Sequence, residues 1–269
     1  MKRILHIITV LFFFFFFINA RAEASAPYKI VQSPKGVYIV EVNTHKTKYK
    51  LQPVVVTMLE TNADVYDRLK PKFLVNAGFF DPKNQQTVSY VTKDGHLVLN
   101  PKNNDNLMNN TVLEPYMNKI LNRSEFRILE DVKGKYHYDI TPHNAEVPAG
   151  YTLKHSIQAG PMLVPDLRLA EEFFILQRDG LTISESASCL HKYARTAIGI
   201  KENKVYLFII TGEAAMTLAE VADLAKKWGM EKAMAFDGGG STSFDSQELH
   251  ITSEEKGQGR KLKSFLMLK

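Results

Sequence analysis

The chain has 269 residues, 45% of them hydrophobic, with 34 Lys and Arg against 29 Asp and Glu and a single cysteine. That length supports one well-buried core, and one cysteine excludes an internal disulfide. Without Lys2, Arg3 and Arg21 of the N-terminal segment, 31 basic residues face 29 acidic ones; this near-balance, with no dense Lys/Arg block, gives no argument for nucleic acid.

In chain order, Lys2 and Arg3 precede an apolar stretch from Ile4 to Ile18, followed by Ala20-Arg21-Ala22 and Ala24-Ser25-Ala26. A basic start, an apolar core and small residues at Ala-x-Ala spacing read as a secretory signal peptide. The apolar stretch is shorter than the ~20 residues a spanning helix needs, and no second segment is long and apolar enough. Cleavage is expected after Ala22 or Ala24, leaving residues 23–269 as one exported domain, periplasmic or secreted.

Runs rich in β-branched and apolar residues then predict strands over Val37–Val42, Val54–Leu59 and Phe73–Val75. Asn62 is positioned to cap a short helix that Pro71 ends. Residues 100–110 hold six asparagines and read as loop, because Asn competes with the backbone for hydrogen bonds. The segment 100–155 reads as a less regular excursion; Glu114–Leu121 within it and Leu169–Gln177 beyond it are weaker helix candidates. Asn109 and Asn122 match a glycosylation acceptor pattern that matters only in a eukaryotic secretory pathway. Strands follow at Thr196–Ile200, Val205–Ile210, Ala233–Phe236 and Leu262–Leu268. Between them, Thr217 and Glu220 form a capping box for a helix over Leu218–Trp228, with Gly229 as its stop. The order strand, helix, strand resembles a βαβ-like unit. Many strands and few helices point to a single α+β domain, a mixed β-sheet core with a few flanking helices.

Four segments carry chemistry-bearing residues. Asn76 and Gly78 end the Phe73 strand; a carboxamide suits sugar hydroxyls, though an Asn-containing turn explains the segment as well. Gly160-Pro161 reads as punctuation. Arg195 opens an apolar strand and calls for an anion, either a protein carboxylate or a ligand phosphate. Glu213 follows the Val205–Ile210 strand in a loop. Then Asp237-Gly238-Gly239-Gly240-Ser241-Thr242 places a carboxylate, flexible backbone and two hydroxyls at one strand end, as either a ligand-holding loop or a plain turn. Cys189 reads as a passive thiol. There is no P-loop, no zinc helix and no nucleophile elbow, and the histidines lack ligand spacing.

Taken in order, Asn76-Ala-Gly-Phe-Phe, Ala159-Gly-Pro-Met-Leu-Val, Arg195-Thr-Ala-Ile-Gly, Met216-Thr-Leu-x-Glu220 and Phe236-Asp-Gly-Gly-Gly-Ser-Thr242 resemble the phosphodiester glycosidase family. The resemblance covers about residues 70 to 245. It implies an α+β fold and hydrolysis of a sugar–phosphodiester bond at the anomeric carbon. It departs at Ala77, where the family has Gly, at Gly259–Ser264, where it has a basic-Pro-Val tail, and at Thr211, where an Asp is common. The last removes a carboxylate from the implied cleft.

The roles implied are then as follows. Asp237 acts at the anomeric carbon, as nucleophile or as base for water; Glu213, which matches no family position, is the candidate second acid/base in place of the carboxylate missing at Thr211. Arg195 and the Gly238–Gly240 amides grip the phosphate. Asn76, Gly78, Thr217 and Ser241 hold the sugar. No cofactor is called for, and a divalent cation at Asp237 is left open. The substrate is a carbohydrate or sugar phosphate of envelope or exopolysaccharide type; the competing class is a non-catalytic exported binder of anionic polysaccharide.

Overall fold

The computed structural model describes residues 26–32, 34–44, 48–186, 188–253 and 259–269; the expected signal segment lies outside them. A six-stranded sheet runs, in spatial order, through Tyr28–Gln32, Val37–Val42, Lys204–Ile210, Arg195–Lys201, Lys232–Ala235 and Met162–Val164. A five-stranded sheet runs through His250–Thr252, Ser243–Ser246, Phe73–Asn76, Leu262–Leu268 and Leu51–Glu60. A third, also five-stranded, runs through His96–Leu99, Val91–Lys93, Tyr151–Gln158, Ser124–Asp131 and Tyr136–Pro142. Ile175–Arg178 and Leu181–Glu185 form a separate hairpin.

The α+β expectation holds, with every pairing among these strands antiparallel rather than mixed. The βαβ-like unit is present in modified form. Lys204–Ile210 and Lys232–Ala235 run the same way, but Arg195–Lys201 lies between them, antiparallel to both.

Side-chain alternation along the central strands explains the layering. Leu207 and Ile209 join Val40, Val42, Ile198, Ile200 and Met234 in the main core, where they meet Phe73, Val75, Phe244 and Leu266 of the second sheet and Phe126, Ile128 and Ile157 of the third. The intervening residues Phe208, Ile210, Ile39, Ala197 and Ala235 face the opposite way, against helix Leu218–Lys227 through Leu218, Val221, Ala222 and Ala225. That helix starts where its sequence says it should. Thr217 Oγ1 accepts from the Glu220 amide, and the Glu220 carboxylate accepts from the Thr217 amide. On the far side, helix Asn62–Leu69 covers Leu74, Phe265 and Met267 with Val65.

Three expectations fail here. Thr61, not Asn62, caps the helix Asn62–Leu69, its hydroxyl accepting from the Asp64 amide at 3.1 Å. Residues 100–155 are not irregular, since two strands of the third sheet and the start of another fall within them. Leu169–Gln177 is not a helix; it is a turn feeding the hairpin, whose Asp179 and Gly180 both sit at positive φ, as a tight two-residue turn requires.

Candidate active site

A cleft of about 260 Å³ opens at the end of the central strands Arg195–Lys201 and Lys232–Ala235. Asp237, Gly238, Gly239 and Gly240 form one wall, with Arg195, Arg260, Tyr193 and Phe79 around them. The chain leaves its strand after Ala235, and two bonds fix its path. The Asp237 amide donates to the Ala77 carbonyl at 2.8 Å, and Asn76 Nδ2 donates to the Asp237 carbonyl at 2.5 Å. The glycines then allow the turn: Gly239 lies at φ +58°, and a Cβ on Gly240 would stand 3.1 Å from the Arg260 guanidinium.

Asp237 is half-buried at the cleft wall. Burial pushes its carboxyl up to about 6; the neighbouring Ser241 hydroxyl, the Arg260 guanidinium and the Gly238 amide each pull it part of the way back. Ser241 Oγ is itself buried and makes no hydrogen bond of full geometry, so its pull on Asp237 is a loose contact. A carboxylate poised near 6 is ionised at neutral pH yet still able to take up a proton.

Arg195 lines the cleft but its guanidinium is anchored to backbone. Nε donates to the Met216 carbonyl at 2.9 Å, and Nη2 to the carbonyls of Ser188 and His191 at 2.7 and 2.6 Å. Backbone carbonyls, with the Glu185 carboxylate acting on it electrostatically, hold the side chain: it ties down the 188–191 loop while lining the cleft. Burial lowers its pKa from the ordinary arginine value. Tyr193, half exposed at the rim, lies with its ring centroid 5.8 Å from this guanidinium.

Several expected ligand-contacting residues stand behind the wall instead. Asn76 is 1% exposed and its carboxamide is engaged: besides the bond to Asp237, its Oδ1 accepts from Thr196 Oγ1 at 2.7 Å and from the Ser243 amide at 3.1 Å. Gly78 donates its amide to Ser264 Oγ at 3.1 Å, and the Thr217 hydroxyl caps its helix. The Gly239 amide donates to the Ala194 carbonyl at 2.8 Å, and the Gly238 amide serves Asp237. Among the described residues this leaves the Gly240 amide for a ligand.

Glu213 is not brought to the cleft. It lies in an exposed turn, its carboxylate 2.6 Å from Lys35 Nζ. Thr211 is also elsewhere, with its hydroxyl donating to the Gly36 carbonyl at 3.2 Å, so this departure from the family pattern removes no carboxylate from the cleft. Cys189 is buried, and burial with Glu185 beside it pushes the thiol up to about 11, which keeps it protonated and inert. Among the described residues no group of three His, Cys, Asp or Glu converges, and Asp237 is the only acid lining the cleft.

The residue that sequence reading missed is Arg260. It lies in a basic stretch that, as sequence, only departs from the family tail, and its charge acquires meaning when the chain returns to lay it over Gly240.

A family model for phosphodiester glycosidases matches residues 70–269. The chain belongs to the phosphodiester glycosidase family. Solved structures show the same fold at low identity. The catalytic domain of zebrafish N-acetylglucosamine-1-phosphodiester alpha-N-acetylglucosaminidase, auto-inhibited by its pro-peptide, aligns with TM-score 0.61 at 17% identity over 90% of this chain and 81% of that one. A Burkholderia pseudomallei protein taken to be exported gives 0.64 at 13%, over 86% and 73%. An uncharacterised Synechocystis protein gives 0.60 at 15%, over 90% of this chain, which spans only 61% of its length. No curated protein matches the chain. Among the described residues, no helix of this phosphodiester glycosidase family member is long and apolar enough to cross a membrane.

Proposed function

We propose that the protein is an exported hydrolase that cleaves glycosyl-1-phosphate diesters at the anomeric carbon, acting on envelope or exopolysaccharide glycans. The observation that carries this reading is one carboxylate, poised near 6, beside two guanidiniums in a sugar-sized cleft. Most glycosidases pair two carboxyl groups, one of which protonates the leaving oxygen. The departing phosphate monoester is already a stable anion, so a lone acid suffices. What the reaction requires is charge stabilisation and an activated nucleophile.

Asp237 is the base that takes a proton from water as the water's oxygen bonds to the anomeric carbon. The bond from that carbon to the phosphate oxygen breaks, and the electron pair leaves with the phosphate. Arg260 and Arg195, with the Gly240 amide, balance the phosphate charge. Asn76 and Ser241 position Asp237 rather than touch the sugar, and Tyr193 offers its exposed ring face to the sugar at the rim. Glu213 has no part. Export is supported by the Ala-x-Ala segment and by the Burkholderia relative.

The test is release of free sugar from a panel of sugar-1-phosphate methyl diesters. The wild type should turn over at least one, and Asp237→Asn should lose at least ~10²-fold in rate. Binding without turnover by both would establish a non-catalytic binder instead.

A further inference from the structure

The end of the second sheet remote from the cleft concentrates positive charge. Strand Leu262–Leu268 carries the chain away from the Arg260 side and delivers it to Lys269, roughly 25 Å further on at about 3.3 Å per residue. There Lys50 and Lys269 exchange backbone hydrogen bonds at 2.7 and 3.0 Å, and the Lys72 amide donates to the Leu268 carbonyl at 2.7 Å. The side chains gather over tyrosines. Lys72 Nζ and Lys48 Nζ lie 4.9 and 5.7 Å from the centroid of the same Tyr49 ring, and Lys50 Nζ lies 4.6 Å from that of Tyr136. Lys70 adds another exposed cation, paired with Asp67 at 2.8 Å. Beside Lys70 and Lys72 opens a cavity of about 300 Å³, also lined by Tyr28, Tyr66, Gln247 and Glu248.

We propose that this lysine–tyrosine end is a second, non-catalytic site that binds anionic polysaccharide. Ammonium groups sharing one ring repel each other, and an anion settling among them removes that repulsion. Around Tyr49 and the cavity, Lys48, Lys70, Lys72 and Lys269 face the exposed acids Asp67 and Glu248, with the buried Asp245 near Tyr66; at Tyr136, Lys50 and Lys154 face Glu130 and Asp94. The cavity is at the small end of ligand pockets, which run from about 300 to 1,000 Å³. Tyrosine hydroxyls, Gln247 and Glu248 supply the donors and acceptors that sugar hydroxyls require. A membrane is the weaker partner. A surface helix that docks on lipid buries apolar side chains, and the exposed large hydrophobics among the described residues, such as Met58, Leu97, Val112, Val132 and Leu181, do not line this cavity. One strand thus joins a cutting site to a holding site, which suits a long charged glycan.

The test is affinity electrophoresis of the protein in gels containing dextran sulfate or neutral dextran, with co-sedimentation on phosphatidylglycerol vesicles as a third arm. The wild type should be retarded by dextran sulfate, increasingly less as NaCl rises, and not by neutral dextran. Lys70→Gln/Lys72→Gln should weaken that binding roughly thirtyfold, given about 1 kcal/mol per lysine beside an anionic surface. Lys48→Gln/Lys50→Gln, in a different segment, should act in the same direction, so misfolding of one pair leaves the other decisive. Sugar-1-phosphate diester hydrolysis, read in parallel, should be unchanged in both, which separates this site from the reading of the cleft. Undiminished dextran sulfate binding by both variants, equal retardation in neutral dextran, or preferential sedimentation with vesicles would overturn the proposal.

Discussion

Asn76 ends a strand of the second sheet, Asp237 lies two residues past a strand of the first, and the two are joined directly, carboxamide to carbonyl at 2.5 Å. The link is doubled by the Asp237 amide bonding to Ala77, so Asp237 is fixed at the seam between the two layers. Replacing Asn76 with Ala leaves the Asp237 carbonyl, the Thr196 hydroxyl and the Ser243 amide buried without their partner. Each such orphan costs about 1–3 kcal/mol. Asn76→Ala should therefore lose about 3 kcal/mol in denaturant unfolding and reduce turnover more than it raises KM.

The raised carboxyl of Asp237 sets both a rate profile and a stability profile. As a base it must be ionised, so kcat/KM should be flat above pH 6 and fall about tenfold per unit below it. Arg260 pulls the value down, so in Arg260→Ala the acid limb should move to higher pH. For stability the sign is opposite to that of a paired carboxylate. The folded state holds this proton more tightly than the unfolded chain, so the contribution falls as pH rises from 3.8 through about 6. At neutral pH, Asp237→Asn should be inactive yet more stable, by on the order of 2 kcal/mol in thermal or denaturant unfolding.

Arg260 should behave as a phosphate contact. Arg260→Ala is expected to lower kcat/KM by about 10²-fold, the scale for losing one charge-stabilising donor. Arg260→Lys should recover only part, because an ammonium lacks the planar fork. Unfolding curves of both variants should overlay the wild type within about 0.5 kcal/mol, since the group packs over Gly240 rather than into the core.

Glu213 provides the converse control. Its partner Lys35 is 80% exposed and Glu213 itself 55%. Exposed pairs contribute about 0–1 kcal/mol. Glu213→Gln should leave kcat within about twofold of wild type, as for a surface substitution; a large loss would restore the carboxylate to the mechanism.

The features legible in the sequence are local ones. The Thr217–Glu220 capping box, the Gly229 stop and the apolar, β-branched run Val205–Ile210 each lie within a few residues, where local pattern dictates geometry. Asp237 with its glycines is legible because three adjacent glycines need a backbone reason. Asn76 is legible as a residue but not in its role. A carboxamide can serve a ligand or the fold, and only tertiary contacts with Thr196 and Ser243 decide which. Arg260 is hidden for the same reason, since its meeting with Asp237 depends on a strand pairing that no short pattern encodes. The third sheet is obscured by residues such as Glu125 and Arg127, which interrupt the apolar run of Ser124–Asp131 yet are buried beside each other, 3.5 Å apart. The Asp179-Gly180 turn is a readable hairpin signal, outweighed by the apolar spacing before it.

Which bond breaks is the decisive question, and isotope labelling answers it. Hydrolysis of a turned-over sugar-1-phosphate diester in ¹⁸O-enriched water should place the label on C1 of the released sugar and none in the phosphate, and Asp237→Asn should abolish that incorporation. Label appearing in the phosphate would mean that water attacks phosphorus, and Asp237 would then have no role at the anomeric carbon.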